Sequence, residues 1–279
     1  MQAWLLDDLA GLEALRLAEV ADIAPRRGEV VLDLRFAGLN PADRYLAERQ
    51  YPARPPLPHV LGRDGLGTVA QVGDGVSGVR PGDRRLILRG ETGVTRWGTF
   101  AHRVAVSAEN LAEIPAGWND PEAAGATLVY LTAYQALTMW GALPPSAVVL
   151  VTGASGGVGV ASVQLACALG HRVLALSRDP AKCGRLREIG AAATFDIREP
   201  RWRQAVRSEL AGRGVDLVID NIGGRLLPQA LETLGDQGKA SLVGRLAGAA
   251  NSTSIPRGGE GAIATGHIRE IHRKPAMIP

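Results

Sequence analysis

Cysteine, long apolar runs and clustered charge of one sign are all scarce in this sequence. Its 279 residues include two cysteines, Cys167 and Cys183, which are too few for a disulfide framework and are expected to be ordinary thiols. No apolar run is long enough to span a bilayer, and the N-terminus has no basic region followed by a hydrophobic stretch. The formal net charge of +3 comes from interspersed basic and acidic residues. We therefore expect a cytoplasmic protein that binds neither membrane nor nucleic acid.

The character of the sequence changes near residue 120. Before this point, short apolar runs are separated by Gly, Pro and Asp, which is typical of an irregular β domain; the runs cover residues 29–36, 67–72, 84–88 and 101–106. After it, apolar strand patterns at 148–152, 172–177, 192–195, 215–220 and 239–243 alternate with helical patterns. This alternation predicts an α/β fold with a doubly wound parallel sheet. We expect one domain over residues 1–120, a second over 121–250 and an atypical, flexible tail over 251–279.

A glycine-rich turn follows the first strand of the second domain and opens a helix. The turn consists of Gly153, Ala154, Ser155, Gly156, Gly157, Val158 and Gly159. Glycines let backbone N–H groups approach a pyrophosphate, and the N-terminus of a helix adds unpaired donors and the positive end of the helix dipole. The turn therefore predicts a dinucleotide site, and a helix cap without a ligand is the alternative.

The end of the next strand indicates which dinucleotide binds. NAD enzymes usually carry an acidic side chain there, whereas this sequence has Ser177 and Arg178, followed by Lys182. These three side chains could donate to a 2′-phosphate and neutralise its charge. Asp179 precedes Pro180 and is better explained as the cap of the next helix. The cofactor is thus predicted to be NADPH, with a solvated surface charge as the alternative for Arg178.

Several motifs, in order, resemble the medium-chain dehydrogenase/reductase superfamily and within it the quinone oxidoreductases. They occupy residues 37–43, 58–67, 79–84, 98–101, 131–137, 153–159 and 216–220. The resemblance extends from residue 1 to about 248 and implies a GroES-like β domain followed by a Rossmann domain. It also implies that Thr132 lies close to the nicotinamide ring. Asn221 and Gly244, which follow two later strands, complete the predicted cofactor contacts.

The sequence lacks the ligands that zinc enzymes of this superfamily carry. Residues 38–40 read Gly-Leu-Asn where those enzymes have a cysteine, and residues 62–64 read Gly-Arg-Asp where they have Gly-His-Glu. A catalytic zinc needs three N, S or O ligands, so we expect none here. Arg63 could act as a cationic group in place of the metal, and an ion pair with Asp43 or Asp64 is the alternative.

The remaining catalytic candidates are Asn40, Tyr45 and Tyr51. Their spacing is similar to that in quinone oxidoreductases, where an Asn is followed five and eleven residues later by tyrosines near the nicotinamide and substrate. The resemblance implies hydride transfer from NADPH to a small-molecule quinone or α,β-unsaturated carbonyl compound, with these side chains stabilising the developing oxyanion. Burial of each tyrosine ring in the domain core is the alternative.

The resemblance fails after Gly244. Residues 251–260 read NSTSIPRGGE, which is too polar for a sheet strand. In the family this region would supply a dimer-forming strand. The resemblance therefore implies a homodimer, but the sequence of this region does not predict the strand that would form it. The rival hypothesis is therefore a catalytically impaired, C-terminally truncated nucleotide-binding protein with a sensory or regulatory role.

Overall fold

In the computed structural model the chain divides into two compact units, Met1–Leu128 and Val129–Pro279. The structure describes residues 1–88 and 90–244 and the backbone of residues 263–264; the rest of the predicted tail lies outside the described residues. The predicted boundary at residue 120 precedes this division, because a short helix over residues 120–124 belongs to the first unit. Within the described part of the chain, no helix is long and apolar enough to cross a bilayer.

The first unit is built on two antiparallel sheets. Its elements are β1 Gln2–Leu6, β2 Leu15–Glu19, β3 Glu29–Gly38, α1 Pro41–Ala47, β4 His59–Val60, β5 Asp64–Val72, β6 Arg84–Ile87, β7 Arg103–Ser107, β8 Leu111–Ala112 and α2 Asp120–Ala124. The strand orders are β2-β1-β4 and β7-β3-β5-β6-β8. Val30, Leu32, Val69, Ile87 and Val104 share one buried cluster of the larger sheet. The predicted β domain, GroES-like by resemblance, is confirmed.

The second unit is a parallel sheet with helices on both faces. Its elements are α3 Thr127–Thr138, which begins two residues before the division, and β9 Val148–Val151, α4 Gly157–Ala168, β10 Arg172–Ser177, α5 Pro180–Glu188, β11 Ala193–Asp196, α6 Trp202–Glu209, β12 Val215–Asp220, α7 Leu226–Leu231, β13 Leu234–Leu242 and β14 Ile263–Ala264. The strand order is β11-β10-β9-β12-β13-β14. The doubly wound sheet is confirmed.

Strand β9 shows why this sheet is covered on both faces. Val149 and Val151 pack into one buried cluster, with residues of α3, α4 and α5. Val148 and Leu150 pack into a second cluster, with residues of α6. Because successive side chains of a strand point to opposite faces, a strand buried on both faces is apolar throughout, as β9 is.

The strand order reverses between β9 and β12. Strands β10 and β11 extend the sheet on one side of β9, and β12 to β14 extend it on the other. In open α/β sheets ligands bind beyond the carboxyl ends of the strands at such a reversal. The glycine-rich turn follows β9 and Asn221 follows β12, so the fold places both at this point.

Two strand predictions near the C-terminus are wrong. No sheet strand was expected beyond residue 250, yet Ile263 and Ala264 pair with Ala240 and Ser241 of β13. The composition of the segment did not reveal a pairing that only two residues make. Strand β13 also begins at Leu234 rather than at residue 239. Gly235 and Gly238 interrupt the apolar pattern on which the prediction depended.

Candidate functional site

The glycine-rich turn is exposed between β9 and α4. Gly153 adopts a φ of 57°, a left-handed conformation that favours glycine, and its carbonyl accepts from the N–H of Gly156 at 3.0 Å. Ser155, Gly156 and Gly157 are all exposed. The first N–H groups of α4 have no carbonyl within the helix to bind, so they and the positive end of the helix dipole face outward. This arrangement suits an anionic group.

The glycines of the turn have different physical roles. A Cβ at Gly159 would lie 2.3 Å from the carbonyl oxygen of Gly153 and 2.6 Å from the Cα of Ala154, so only glycine lets α4 pack this closely against the turn. A Cβ at Gly156 would meet only the Gly153 carbonyl, at 3.4 Å. Space therefore remains open outside Gly156, and the cradle fits a pyrophosphate.

A buried polar network joins the ends of β9 and β12. The hydroxyl of Thr152 donates to Asp220 Oδ1 at 2.5 Å and accepts from the N–H of Asn221 at 3.0 Å. The Asn221 amide donates to the Thr152 carbonyl at 2.9 Å, and its Oδ1 is buried without a hydrogen-bond partner. Burial raises the pKa of Asp220, against the hydrogen bonds from Thr152 and Gly223. An unpartnered buried acceptor beside the turn fits the ribose hydroxyls of a dinucleotide.

Sequence reasoning named Asn221 but missed Thr152 and Asp220. The available signal was that each is a polar side chain at the end of a largely apolar strand, beside the predicted switch point. Gly244 joins the same group: its N–H donates to the Asp220 carbonyl at 3.2 Å, and a Cβ there would lie 2.2 Å from the carbonyl oxygen of Asn221.

The predicted 2′-phosphate residues gather at the carboxyl end of β10. Ser177 is buried, and its hydroxyl accepts from the N–H of Asp179 at 3.1 Å. The Asp179 carboxylate accepts from the N–H of Ala181 at 3.0 Å, which confirms its predicted role as the cap of α5. Lys182 Nζ lies 4.0 Å from Asp179 Oδ2, and Arg178 is exposed. The structure thus brings Ser177, Arg178 and Lys182 together.

Thr132 and Val158 belong to two helices that contact each other. Thr132 lies half-buried in α3, and Val158 lies half-buried in the first turn of α4. The hydroxyl of Tyr130 in α3 donates to the side chain of Gln164 in α4. A Cβ at Gly157 would lie 3.0 Å from Val129 Cγ1, so α3 packs directly against the start of α4. Thr132 is accordingly on the helix that supports the turn.

Asn40 in the first unit is held by two carboxylates. Its N–H donates to Asp43 Oδ2 at 2.9 Å, and its side-chain amide donates to Asp64 Oδ2 at 2.9 Å. Asn40 stands immediately before α1, with Pro41 at the first helical position and Asp43 at the third, a spacing that the sequence itself displayed. One amide N–H of Asn40 is consequently engaged rather than directed at a substrate.

Asp64 is a buried carboxyl group with three donors around it. Besides Asn40, Oδ1 contacts the Thr127 hydroxyl at 2.5 Å and the N–H of Leu128 at 2.9 Å, and burial raises its pKa all the same. The single hydroxyl proton of Thr127 also faces the carbonyl oxygen of Ile87, at 2.8 Å. The Thr127 hydroxyl is therefore shared between two acceptors, Asp64 Oδ1 and the Ile87 carbonyl.

Arg63 is buried against Tyr51 and Asp43. Its Nη1 donates to the Tyr51 hydroxyl at 3.1 Å, its guanidinium carbon lies 4.2 Å from the centre of the Tyr51 ring, and its Nε lies 3.9 Å from Asp43 Oδ1. The ion pair that the sequence left open is therefore with Asp43. Burial still raises the pKa of Asp43 to about 6, because desolvation outweighs the effect of Arg63.

Both predicted tyrosines pack into the core of the first unit. The ring of Tyr51 is buried with Leu6, Leu46 and Leu61, and Tyr45 packs half-buried against the same cluster. This is the packing role that the sequence left open. Nearby, His59 is fully buried, and burial lowers its pKa, so its imidazole is neutral near pH 7. A direct catalytic role of either tyrosine stays a prediction.

The residues at the expected zinc position do not fit a metal. The guanidinium of Arg63 has only donors, and it already contacts Tyr51 and Asp43. Among the residues that the structure describes, no three His, Cys, Asp or Glu side chains gather where they could hold an ion. Zinc independence itself stays a prediction.

Comparisons with known proteins agree with both halves of the chain. Residues 26–116 match the family described as alcohol dehydrogenase GroES-like domain, and residues 157–260 match the family described as zinc-binding dehydrogenase. A rat quinone oxidoreductase is 30% identical over 88% of this chain and 73% of its own length. Erythronolide synthase EryA2 of Saccharopolyspora erythraea is 36% identical over 76% of this chain, which spans only 6% of that much longer protein.

Solved structures show the same relationship. An Escherichia coli quinone oxidoreductase complexed with NADPH superposes with a TM-score of 0.84 at 25% identity, covering 95% of this chain and 80% of the other. An NAD-dependent alcohol dehydrogenase superposes with a TM-score of 0.82 at 31% identity, covering 98% and 82%. The fold, the glycine-rich turn and the relatives agree. The chain therefore belongs to the medium-chain dehydrogenase/reductase superfamily, and within it is quinone oxidoreductase-like.

Proposed function

We propose that this protein is an oxidoreductase that transfers hydride from NADPH to a quinone or an α,β-unsaturated carbonyl compound without zinc. The observation that carries the proposal is the exposed glycine turn beside the buried, unpartnered Oδ1 of Asn221. Bound NADPH would supply the hydride. The relatives named quinone oxidoreductase, one of them complexed with NADPH, support the choice of reaction.

The second unit would bind the cofactor through three separate groups of residues. The N–H groups of Gly157 and Val158 would bind the pyrophosphate, since they open α4 and face outward. Asn221 Oδ1 would accept from a ribose hydroxyl. Ser177, Arg178 and Lys182 would bind the 2′-phosphate, because their hydroxyl and cationic groups gather at the end of β10 and can donate to an extra negative charge.

The first unit would stabilise the oxyanion that develops on the acceptor. Tyr51 is the proposed hydrogen-bond donor, because its position eleven residues after Asn40 is similar to that of a tyrosine near the nicotinamide and substrate in quinone oxidoreductases. The second amide N–H of Asn40 offers a further donor, held in position by Asp64. Tyr45, which lies in α1, is the alternative proton donor.

The donor set supports the proposed zinc independence. The superfamily divides into zinc and zinc-free enzymes, and this chain carries Arg63 and Asp64 where zinc enzymes have a histidine and a glutamate. Polarisation of the acceptor oxygen would therefore rest on hydrogen bonds. The cytoplasmic location and the homodimer stay predictions.

The rival hypothesis, a catalytically impaired nucleotide-binding protein, receives no support from the comparisons. The relatives reported above carry the names of enzymes, and they match 76% and 88% of this chain. We therefore prefer the enzyme.

A two-step experiment tests the proposal. NADPH and NADH are titrated into the purified protein while fluorescence is recorded, and a quinone or an enone is then added to the complex. We expect tighter binding of NADPH and oxidation of the cofactor when either acceptor is present. Lys182→Ala should weaken NADPH binding and leave NADH binding unchanged. NADPH binding without oxidation by quinones, enones or enoyl thioesters would instead favour the regulatory protein.

A further inference from the structure

A carboxylate lies next to the predicted 2′-phosphate residues. Asp196 is the last residue of β11, and it is paired with Ser177 in the parallel ladder between β10 and β11. The N–H of Ile197 donates to the Ser177 carbonyl at 3.2 Å, so the pairing continues to the very end of both strands. Neighbouring strands lie about 4.8 Å apart. Asp196 is therefore beside the group that would bind the phosphate.

Arg198 pairs with both oxygens of this carboxylate. Its Nε lies 3.0 Å from both oxygens of Asp196, its Nη2 lies 2.6 Å from Oδ2, and its backbone N–H donates to Oδ1 at 2.9 Å. The chain turns back after β11, so that the guanidinium and the backbone N–H of Arg198 together bind both oxygens of Asp196. The Arg198 guanidinium correspondingly lowers the pKa of Asp196, which is therefore ionised at neutral pH.

The second carboxylate of this region is neutralised in a similar way. Asp179 follows β10 and is approached by Lys182 at 4.0 Å, and its charge also acts on Arg198. The two ion pairs cancel both negative charges. Arg178 is the exposed cation beside these two pairs, and Glu199, whose charge also acts on Arg198, is the neighbouring acid.

We propose that Arg198 is a specificity-determining residue, which secures the preference for NADPH by neutralising Asp196 rather than by binding the phosphate itself. The inference rests on the proposed function, because it concerns the same cofactor. An uncovered carboxylate beside Ser177 would repel a 2′-phosphate, whose charge is close to −2, and would leave NADH unaffected. The contribution of Arg198 to this preference falls with added salt, because the Asp196–Arg198 ion pair is exposed.

The test measures binding of NADPH and NADH to the full chain by titration calorimetry. Arg198→Ala should raise the Kd for NADPH roughly three- to tenfold at low salt and leave the Kd for NADH unchanged. The double variant Asp196→Asn/Arg198→Ala should recover the original Kd for NADPH within about twofold. The matched control is Arg172→Ala, which breaks an equivalent ion pair with Glu209 at the opposite end of β10 and should change neither value.

Each other outcome overturns the proposal in a distinct way. A loss in Arg198→Ala that the double variant does not recover would make Arg198 a direct phosphate ligand. An unchanged Kd for NADPH in Arg198→Ala would show that Asp196 does not act on the cofactor. Failure of the unmodified protein to bind NADPH would overturn the proposed function and this inference with it. Circular dichroism of each variant identifies any loss of folding.

Discussion

The hydroxyl of Thr152, at the end of β9, donates to the buried carboxylate of Asp220, at the end of β12, over 2.5 Å. The two residues are 68 positions apart and meet where the strand order reverses. The same hydroxyl also accepts from the backbone N–H of Asn221. It thereby helps to position Asn221, whose side-chain Oδ1 is proposed to bind the cofactor. Stability and cofactor binding are thus coupled at this one contact.

Thr152→Val should destabilise the protein and weaken dinucleotide binding together. The substitution leaves the Asn221 N–H without its partner and leaves Asp220 Oδ1 with only the Ile222 N–H, at 3.4 Å, which costs about 2 kcal/mol of unfolding free energy. Urea unfolding and NADPH titration measure the two effects. The control is Thr152→Ser, which keeps the hydroxyl and should behave as the unmodified protein. Equal behaviour of the Val and Ser variants would show that the hydrogen bonds are unimportant.

Two glycine substitutions should separate packing from ligand binding. Gly159→Ala forces the turn and α4 apart, because its Cβ would lie 2.3 Å from the Gly153 carbonyl, so both the melting temperature and the NADPH affinity should fall. Gly156→Ala meets only a contact at 3.4 Å and should keep the melting temperature, but its methyl group would occupy the open space and lower NADPH affinity at least tenfold. Unchanged affinity in Gly156→Ala would argue against a pyrophosphate at this turn. Gly184→Ala, with nothing near its Cβ, is the control.

Tyr51→Phe should lower kcat without unfolding the first unit. The ring would remain in the buried cluster and under Arg63, while the hydroxyl proposed to stabilise the oxyanion is lost. Loss of one such donor reduces kcat by about 10²-fold. Steady-state kinetics with a quinone or enone measures the effect, and Tyr45→Phe is the matched control, with a change of less than about threefold. If Tyr45→Phe carries the large loss instead, the roles of the two tyrosines are reversed.

The carboxyl group of Asp43 should make stability depend on pH. Burial raises its folded pKa to about 6 from an ordinary 3.8, so the folded protein holds this proton more tightly than the unfolded chain does. The stabilising contribution is full below pH 3.8 and is lost as the pH rises through about 6. It amounts to about 3 kcal/mol across that window.

Asp43→Asn tests this dependence, because an amide does not titrate. Denaturant unfolding of both proteins at several pH values, from roughly pH 3.5 to roughly pH 7.5, gives the difference in their unfolding free energies at each pH. This range includes both the unfolded and the folded pKa of Asp43. The unfolding free energy of the variant should increase relative to that of the unmodified protein as the pH rises. A difference that stays constant over the range would mean that the carboxyl group titrates normally in the folded state.

The sequence by itself determined the α/β class, the parallel sheet, the glycine-rich turn and the membership of the superfamily. These depend on local patterns: apolar runs of strand length, glycines between a strand and a helix, and a cap before a proline. Asp179 illustrates this, because its partner is the N–H of Ala181 only two residues away. The prediction needed no knowledge of the rest of the chain.

Only the tertiary structure decided which distant groups meet. Strand register placed Asp196 beside Ser177, the order of strands placed Asp220 beside Thr152, and packing paired Arg63 with Asp43 and the amide of Asn40 with Asp64. In the last case the two residues are 24 positions apart. Hydrogen bonds and desolvation act over a few ångströms of space, so the partners and pKa values of these side chains follow from the folded arrangement and from no spacing along the chain.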